Sequence, residues 1–245
     1  MKQTLGTFFE LGSCEAVEAI ARSGLDYFVI DMEHGPYSVE SALALIRAAE
    51  AAHITPFVRV GDHRRPDLLR VLDVGARGII VPQVHSAADV KELVRHAKFP
   101  PVGRRGFCYT RTSGWGADAG SDDCEGYMRK RDAACLLLPQ CETRGAYEEI
   151  DQIAAMEGVD GIFIGPFDLS IGLGVPMQMD HPILKKAIED VLAACRRHGK
   201  LAFIFAGNAQ KAAEYRAMGF DSVAIGQDTA VLCQAYTALA KEFWK

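Results

Sequence analysis

The chain has 245 residues, a formal net charge of −5 and 49% hydrophobic residues, a composition typical of one globular enzyme domain. No stretch concentrates lysine and arginine as a phosphate-binding surface requires, which excludes nucleic acid as an expected partner. No apolar run is long enough to span a membrane, and the first residues lack the apolar core of a signal peptide. The seven cysteines are scattered without a C-x-x-C pair, so we expect neither a disulfide framework nor structural zinc, and a cytoplasmic location.

Eight short apolar runs follow one another along the chain, each separated from the next by a longer stretch. Most of these runs are nearly continuous in Val, Ile, Leu and Phe, which is typical of parallel strands covered on both faces. The predicted strands are residues 5–9, 27–31, 56–60, 78–82, 134–141, 161–165, 201–205 and 222–225.

The intervening stretches have the apolar spacing of amphipathic helices. Ser38 and Ser86 stand where they can cap the first free N–H groups, and several stretches end at glycine. The predicted helices are residues 14–23, 38–52, 66–74, 86–97, 147–156, 182–198, 210–218 and 229–243. Eight strand–helix alternations predict an α/β fold, a closed (β/α)8 TIM barrel forming a single domain over residues 1–245; a doubly wound open sheet is the alternative.

One predicted connection is much longer than the others. Residues 99–132 separate the fourth helix from the fifth strand, and loops of more than about 12–15 residues are uncommon unless functional or disordered. Its arginines, aromatic residues and glycines are compatible with a lid or a subunit contact. A surface loop without a specific function is equally compatible with this composition.

Two carboxylates follow neighbouring predicted strands. Barrel active sites lie at the carboxyl ends of the strands, where Glu142 follows the fifth strand and Asp168 the sixth. Together they predict a hard oxygen site for Mg²⁺ or Mn²⁺. Taken singly, either residue also suits a helix N-terminus, as a favourable charge or a cap.

His34 and Arg59 are the other chemically informative residues at this end. His34 leaves the second strand on a tight exit and is a candidate general base oriented by Asp31, although a structural hydrogen bond is the alternative. Arg59 ends an otherwise apolar strand, where its guanidinium needs an anionic mate. That mate is either a substrate carboxylate or enolate oxygen, or an acid of the barrel itself.

The lysines narrow the chemistry further. None of them ends a predicted strand on the catalytic side, and Lys200 precedes the seventh strand, at the opposite end. A Schiff-base aldolase needs a lysine inside the mouth. The pattern therefore favours metal-assisted chemistry.

Six motifs carry a resemblance to a known family over roughly residues 5–230. They are DYFVIDMEHGP, PFVRV, VLDVGARGIIVPQV, FPPVGRRG, LLPQCE and GVDGIFIGPFDLSIGLG. Their order and spacing resemble the HpcH/HpaI class II pyruvate aldolases of the phosphoenolpyruvate/pyruvate barrel superfamily. The resemblance implies a lyase that makes or cleaves a 4-hydroxy-2-oxo acid from pyruvate and an aldehyde, as 2-dehydro-3-deoxyglucarate or 4-hydroxy-2-oxoheptanedioate aldolases do.

The same resemblance assigns roles to individual residues. Glu142 and Asp168 are implied to bind Mg²⁺ or Mn²⁺, with Co²⁺ as a further option. Substrate contacts are implied for Arg59, Gln140, Gly165, Phe167 and Asp168. His34 with Asp31 is implied to form the acid–base pair, which Asp73 supports from a neighbouring subunit.

The resemblance also implies an assembly and leaves some questions open. Members are usually hexamers, trimers of dimers that exchange the C-terminal helix, here residues 229–244. The chain departs from the pattern at Phe167, where a small residue is common, at VGDHRRP after Arg59, and at Phe8-Phe9-Glu10. These departures lie near the mouth and put the aldehyde partner in doubt.

Three other functions fit the same fold. A citrate-synthase-like condensation of oxaloacetate with acetyl-CoA in a siderophore pathway and the decarboxylation of a 2-oxo diacid both use a similar enolate. An oxo-acid-binding barrel subunit without catalysis is the non-enzyme alternative. Release of thiol, release of CO₂ without an aldehyde, and binding without proton exchange would distinguish them.

Overall fold

A computed structural model describes residues 2–118, 120 and 122–245. Eight parallel strands pair in chain order and close on themselves, with β8 beside β1. The strands are β1 (Thr4–Phe9), β2 (Tyr27–Asp31), β3 (Thr55–Arg59), β4 (Gly78–Val81), β5 (Leu136–Cys141), β6 (Gly161–Ile164), β7 (Leu201–Ala206) and β8 (Ser222–Gln227). The predicted single-domain (β/α)8 barrel is confirmed, and the open doubly wound sheet is wrong.

Helices surround the barrel and connect its strands. They are α1 (Cys14–Ala21), α2 (Val39–Ala52), α3 (Arg65–Asp73), α4 (Ala87–Ala97), α5 (Cys124–Ala133), α6 (Arg144–Glu148), α7 (Ile150–Ala155), α8 (Pro166–Gly172), α9 (Pro182–Arg197), α10 (Ala209–Met218) and α11 (Asp228–Phe243). Ser38 and Ser86 cap α2 and α4 as predicted, each accepting a backbone N–H. In the described part of the chain, no helix has both the length and the apolar character that crossing a bilayer requires.

Four helices differ from the sequence prediction. The helix predicted over residues 147–156 is two shorter helices, α6 and α7, which meet at Glu149. Helix α5 was not predicted because it has no apolar stripe, and its one buried residue is Arg131. Helix α8 follows β6 directly and begins at Pro166, a residue that suits the first turn of a helix.

The barrel interior is filled by large aromatic side chains. Because side chains alternate along a strand, one set faces the barrel axis and the other faces the helices. A separate inner cluster contains Phe8, Phe57, Phe163 and Phe203, whereas the much larger cluster includes the residues that the helices cover. The rings of Phe8 and Phe163 meet edge to face at 5.9 Å. These rings close the barrel beneath its mouth.

The long connection between α4 and β5 packs against the amino-terminal end of the barrel. It contains a 3₁₀ segment, Arg111–Gly116, followed by α5. Arg111 donates to Glu50 at 3.0 and 2.6 Å and to the carbonyl of Val74 at 3.1 Å. Both partners lie towards the C-terminal ends of α2 and α3, so the connection is anchored opposite the mouth of its own barrel. A role as a subunit contact stays a prediction.

Candidate active site

A cavity of about 210 Å³ opens at the carboxyl ends of the strands. Every predicted site residue lines it except two. Glu142 is buried in the protein, and Asp73 lies at the C-terminal end of α3. The predicted convergence of strand ends therefore occurs. Glu10, which sequence analysis placed near the mouth without a role, also lines the cavity, as does Gln227, which was not predicted.

Arg59 is held in a fixed orientation by two acids. Its Nε lies 2.8 Å and its Nη2 2.5 Å from the two carboxylate oxygens of Asp31, and its Nη1 lies 3.1 Å from Glu33. Asp31 and Arg59 are direct partners in the β2–β3 register, which explains the pairing. The guanidinium carbon also lies 4.7 Å from the centre of the Phe8 ring. The internal ion pair that the sequence left open is thus present, in a geometry that aims the guanidinium into the cavity.

His34 has a different setting from the one expected. Its imidazole is 66% exposed, with Nε2 3.9 Å from a carboxylate oxygen of Glu33. The Asp31 carboxylate instead accepts the backbone N–H groups of Glu33 at 3.1 Å and His34 at 3.4 Å, besides its bonds to Arg59. Asp31 therefore fixes the strand exit and the guanidinium, and it does not hold the imidazole in this structure. His34 still lines the cavity.

Glu142 is a buried carboxylate with a defined hydrogen-bond environment. Its side chain is almost fully buried, and Oε1 accepts the backbone N–H of Gln83 at 2.7 Å and the Gln83 side-chain amide at 3.1 Å. Its Oε2 accepts from the side-chain amide of Gln140. The pKa of Glu142 is raised to about 7, chiefly by burial and also by the nearby charges of Glu33 and Asp168, against the lowering effect of the hydrogen bonds from Gln83 and Gln140.

Gln83 contacts Glu142 and is another site residue that sequence analysis missed. It follows β4 in a left-handed conformation, φ 51°, which is unusual for a residue other than glycine. This conformation turns its backbone N–H towards Glu142, which follows the neighbouring strand β5. Its position just past the end of a predicted strand, after Pro82, was the one available signal.

The residues around Glu142 fit a divalent cation. Asp168 lies in the first turn of α8 and is close enough to raise the pKa of Glu142. Within the described residues, Oε1 of Gln140 is buried without a hydrogen-bond partner. A Cβ added to Gly165 would lie 2.8 Å from both the Gln140 amide nitrogen and Glu142 Oε2, so only glycine leaves this place open.

The protein supplies few ligands for such a cation. Among the described residues, no group of three or more His, Cys, Asp or Glu side chains is arranged to hold a metal ion. Two carboxylates and one amide oxygen suit Mg²⁺, which usually keeps several waters and takes one or two carboxylates from the protein. The donor set therefore fits a hard cation that shares its coordination with water and substrate.

Asp73 is placed far from the mouth of its own barrel. It is the last residue of α3 and its carboxylate lies 2.7 Å from Nη2 of the buried Arg105. Arg105 belongs to the connection between α4 and β5. Any contribution of Asp73 to an active site would therefore be made in a neighbouring subunit, and this stays a prediction.

The fold and the site together define a class of protein: a (β/α)8-barrel enzyme with an acidic mouth and one oriented guanidinium. Comparison with known proteins supports this class and identifies the family. The sequence profile of the family described as HpcH/HpaI aldolase/citrate lyase matches residues 4–235. The chain therefore belongs to the HpcH/HpaI aldolase/citrate lyase family, and it is a carbon–carbon lyase.

Individual relatives and solved structures are also similar to this chain over nearly its whole length. A 4-hydroxy-2-oxo-heptane-1,7-dioate aldolase of Escherichia coli is 35% identical over 98% of this chain and 90% of its own length. The crystal structure of an HpcH/HpaI aldolase from Desulfitobacterium hafniense superposes with a TM-score of 0.91 at 32% identity, covering 100% of this chain and 93% of that one. A citrate synthase, SbnG, superposes with a TM-score of 0.88 at 31% identity, covering 99% and 94%.

Proposed function

We propose that this chain is a divalent-metal-dependent class II aldolase that uses pyruvate as its nucleophilic substrate. It would join pyruvate to an aldehyde, or cleave the resulting 4-hydroxy-2-oxo acid. The observation that carries the proposal is the buried Glu142 beside Asp168, with the unpartnered oxygen of Gln140, under a cavity that no described lysine lines. A lysine-based Schiff-base route has no candidate residue there.

Glu142 and Asp168 would hold Mg²⁺, Mn²⁺ or Co²⁺, with Gln140 beside them. When bound, the cation supplies Lewis-acid stabilisation for the negative charge that develops on a 2-oxo acid. Gly165 keeps the space next to Glu142 Oε2 free of side-chain atoms. Phe167 follows in the first turn of α8, where backbone N–H groups are free to receive the pyruvate carboxylate.

Arg59 would bind the oxygens of the substrate. A guanidinium has five N–H donors. The hydrogen bonds to Asp31 use two of them, and Glu33 lies within ion-pair distance of Nη1 without accepting a hydrogen bond from it. The remaining donors are available to a substrate oxygen in the cavity. Because Asp31 and Glu33 fix the guanidinium before substrate arrives, little reorganisation is needed as charge develops on that oxygen.

His34 would move the proton. Its imidazole lines the cavity and is accessible to a substrate hydroxyl. In the cleavage direction it would take the proton from the C4 hydroxyl, the C3–C4 bond would break, and the products would be an aldehyde and the enolate of pyruvate. In the condensation direction it would return that proton to the new alkoxide.

We also infer a homo-oligomer, a hexamer built as a trimer of dimers, in the cytoplasm. Helix α11 and the residue after it expose large apolar side chains that a lone barrel leaves uncovered: Val231, Leu232, Tyr236, Leu239, Phe243 and Trp244. Exchange of this helix between subunits would bury them. The thiols are free at Cys14, Cys108, Cys135, Cys141, Cys195 and Cys233, which suits a reducing compartment.

Removal of either carboxylate tests the proposal. We expect Glu142→Gln and Asp168→Asn to lower kcat/KM for metal-dependent condensation of pyruvate with an aldehyde by at least about 1000-fold, because each loses a cation ligand. Isothermal titration with Mn²⁺ should show the matching loss of binding. Glu148→Gln, which alters an exposed acid on α6, is the control. Wild-type kcat/KM and Mn²⁺ affinity in both site variants would refute the metal site.

A second candidate function is condensation of a thioester with a 2-oxo acid. The observation that favours it is the similarity to the citrate synthase SbnG over nearly the whole of both chains. Incubation with oxaloacetate and acetyl-CoA would then release free thiol and form citrate. Formation of a 4-hydroxy-2-oxo acid from pyruvate and an aldehyde, without thiol release, would support the aldolase instead.

A further inference from the structure

The side of the cavity nearest α8 and β7 is walled by aromatic rings. Phe167 and Phe205 meet edge to face with their centres 5.3 Å apart, and Phe205 meets Phe8 in the same way at 5.6 Å. Phe167 also reaches over Gly207, with its ring tip 3.6 Å from where a Cβ would stand. Phe167 keeps 36% of its surface exposed, so part of the ring is available to a ligand. This wall is apolar.

The charges around the same cavity are negative apart from one guanidinium. Arg59 is the only arginine or lysine that lines it in the described chain, and Asp31 and Glu33 already flank that guanidinium. Glu10 leaves the end of β1 into the cavity, and its side chain has no ion-pair partner among the described residues. Asp168 also lines the cavity. Within the described residues of this chain, a second carboxylate on a bound substrate would therefore meet no lysine or arginine other than Arg59.

The cavity is also small. Its volume of about 210 Å³ lies below the roughly 300–1,000 Å³ of pockets for drug-sized ligands, and pyruvate must share it. Arg59 and the two proposed cation ligands belong to the pyruvate side. The side chains that line the rest of the cavity within this chain include the rings of Phe8, Phe167 and Phe205. Apolar walls reward burial of apolar surface and penalise burial of an unpaired charge.

From this arrangement we propose that the acceptor is an uncharged aldehyde with an apolar body, and that the mouth discriminates against aldehydes bearing a carboxylate. This inference rests on the proposed aldolase function and specifies its second substrate. It sets the chain apart from the relatives named for a heptane-1,7-dioate, a product with two carboxylates. Phe167 and Glu10 would be the residues that determine the preference, one by contact and one by charge.

Matched pairs of aldehydes test the proposal on the wild-type enzyme. Each pair differs in one carboxylate: benzaldehyde against 4-carboxybenzaldehyde, and the methyl ester of 4-oxobutanoate against 4-oxobutanoate. With pyruvate and Mn²⁺, we expect kcat/KM for condensation to favour the uncharged member of both pairs by at least about 10-fold. Equal or better use of the carboxylated member in both pairs would overturn the proposal.

Variants assign the preference to residues. Glu10→Gln should narrow the ratio of uncharged to carboxylated substrate by about 3- to 10-fold, because it removes a negative charge near the acceptor. Phe167→Ala should narrow it by lowering kcat/KM for benzaldehyde. Phe107→Ala is the matched control, since its ring packs against Tyr109 and Tyr127 outside the mouth, and it should keep the wild-type ratio. A ratio unchanged in both mouth variants would contradict the assignment.

Failure of this inference is distinguishable from failure of the proposed function. Exchange of the methyl hydrogens of pyruvate for deuterium requires no aldehyde. Exchange together with a preference for carboxylated aldehydes would refute the acceptor class and leave the aldolase chemistry standing. No exchange, and no condensation with any aldehyde, would refute both.

Discussion

The two ends of the barrel both contain buried charges, yet they differ in what surrounds them. At the mouth, Arg59 and Glu142 lie at or just beneath a cavity of about 210 Å³. At the opposite end, which we call the floor, Lys98, Arg105 and Asp132 surround a cavity of only about 10 Å³. That space holds a water at most. Buried charge alone therefore does not mark the active site of this protein; buried charge beside usable space does.

The floor charges are tied to the protein itself. Lys98 donates to Asp160 at 2.7 Å and to the carbonyls of Asp132 and Cys135 at 3.3 and 3.2 Å. Arg105 pairs with Asp73 and covers the ring of Phe99 at 4.6 Å. These contacts hold the long connection between α4 and β5 against the barrel. We expect changes at the floor to alter stability and changes at the mouth to alter chemistry.

The largest expected effect concerns Arg59 at the mouth. Arg59→Lys keeps the charge but loses the planar fork that grips both oxygens of Asp31, so the remaining ammonium cannot also present donors to substrate. We expect kcat/KM for pyruvate condensation to fall by about 100- to 1000-fold, the range found when one donor to a developing oxyanion is removed. Steady-state kinetics measure it.

Arg129→Lys is the control for this variant. Arg129 is an exposed residue of α5 paired with Glu125, and the same substitution there should leave kcat/KM unchanged. Wild-type kcat/KM in Arg59→Lys would mean that Arg59 is not a ligand of the substrate.

At the floor, the expected effect is on stability. Lys98→Met should lower the free energy of unfolding by about 2–4 kcal/mol, because it leaves Asp160 and two backbone carbonyls without their shared cation. Urea unfolding followed by circular dichroism measures the change. The rate of pyruvate proton exchange per folded enzyme should stay at the wild-type value, since Lys98 lies at the other end of the barrel.

Lys91→Met provides the comparison, because Lys91 is an exposed residue of α4, the helix that ends just before Lys98. It should change the free energy of unfolding by less than about 0.5 kcal/mol. If Lys98→Met slowed proton exchange in folded protein, the division between a chemical end and a structural end would be wrong.

The smallest expected effect is a pH-dependent one. Hydrogen bonds from Arg111 lower the pKa of Glu50 below its ordinary value of 4.5. Because the folded pKa is below the unfolded one, the pair stabilises the protein above about pH 4.5, and this contribution disappears as pH falls through the lowered pKa. Glu50→Gln should therefore lower stability by less than about 1 kcal/mol at pH 7.

The difference from wild type should shrink towards zero as the pH is lowered, which thermal unfolding in a pH series would show. Glu18→Gln, an exposed change on α1, serves as the control and should show little difference at any pH. A destabilisation by Glu50→Gln that stayed constant from pH 7 downwards would show that packing, and not the ion pair, is responsible.

The sequence was most informative about strands and their ends. Continuous apolar runs identify strands buried on both faces, so β2 was predicted with its observed bounds. The observed β8 is two residues longer than the predicted strand, because it also includes Gly226 and Gln227. Since all parallel strands of a barrel end at one rim, the convergence of Arg59, Glu142 and Asp168 could also be predicted. Helix α5 could not, because it lacks the apolar periodicity on which such predictions depend.

Pairing within the site was beyond the reach of sequence patterns. The preference of Asp31 for Arg59 over the imidazole of His34 follows from the β2–β3 register and from the turn after β2, neither of which is visible in residue spacing. The contact of Gln83 with Glu142 needs a left-handed backbone at a residue other than glycine. The sequence thus predicted which side chains lie near one another at the mouth, and the three-dimensional structure showed which of them are hydrogen-bonded to each other.

Exchange of the methyl hydrogens of pyruvate in D₂O, followed by proton NMR without any aldehyde, tests the central claim most directly. With Mn²⁺ or Mg²⁺ the wild-type protein should exchange these hydrogens far faster than buffer with the same metal. EDTA treatment, Glu142→Gln or Asp168→Asn should each abolish the acceleration. Undiminished exchange in EDTA-treated protein would contradict the claim that the carboxylates after β5 and β6 hold a cation required for enolate formation from pyruvate.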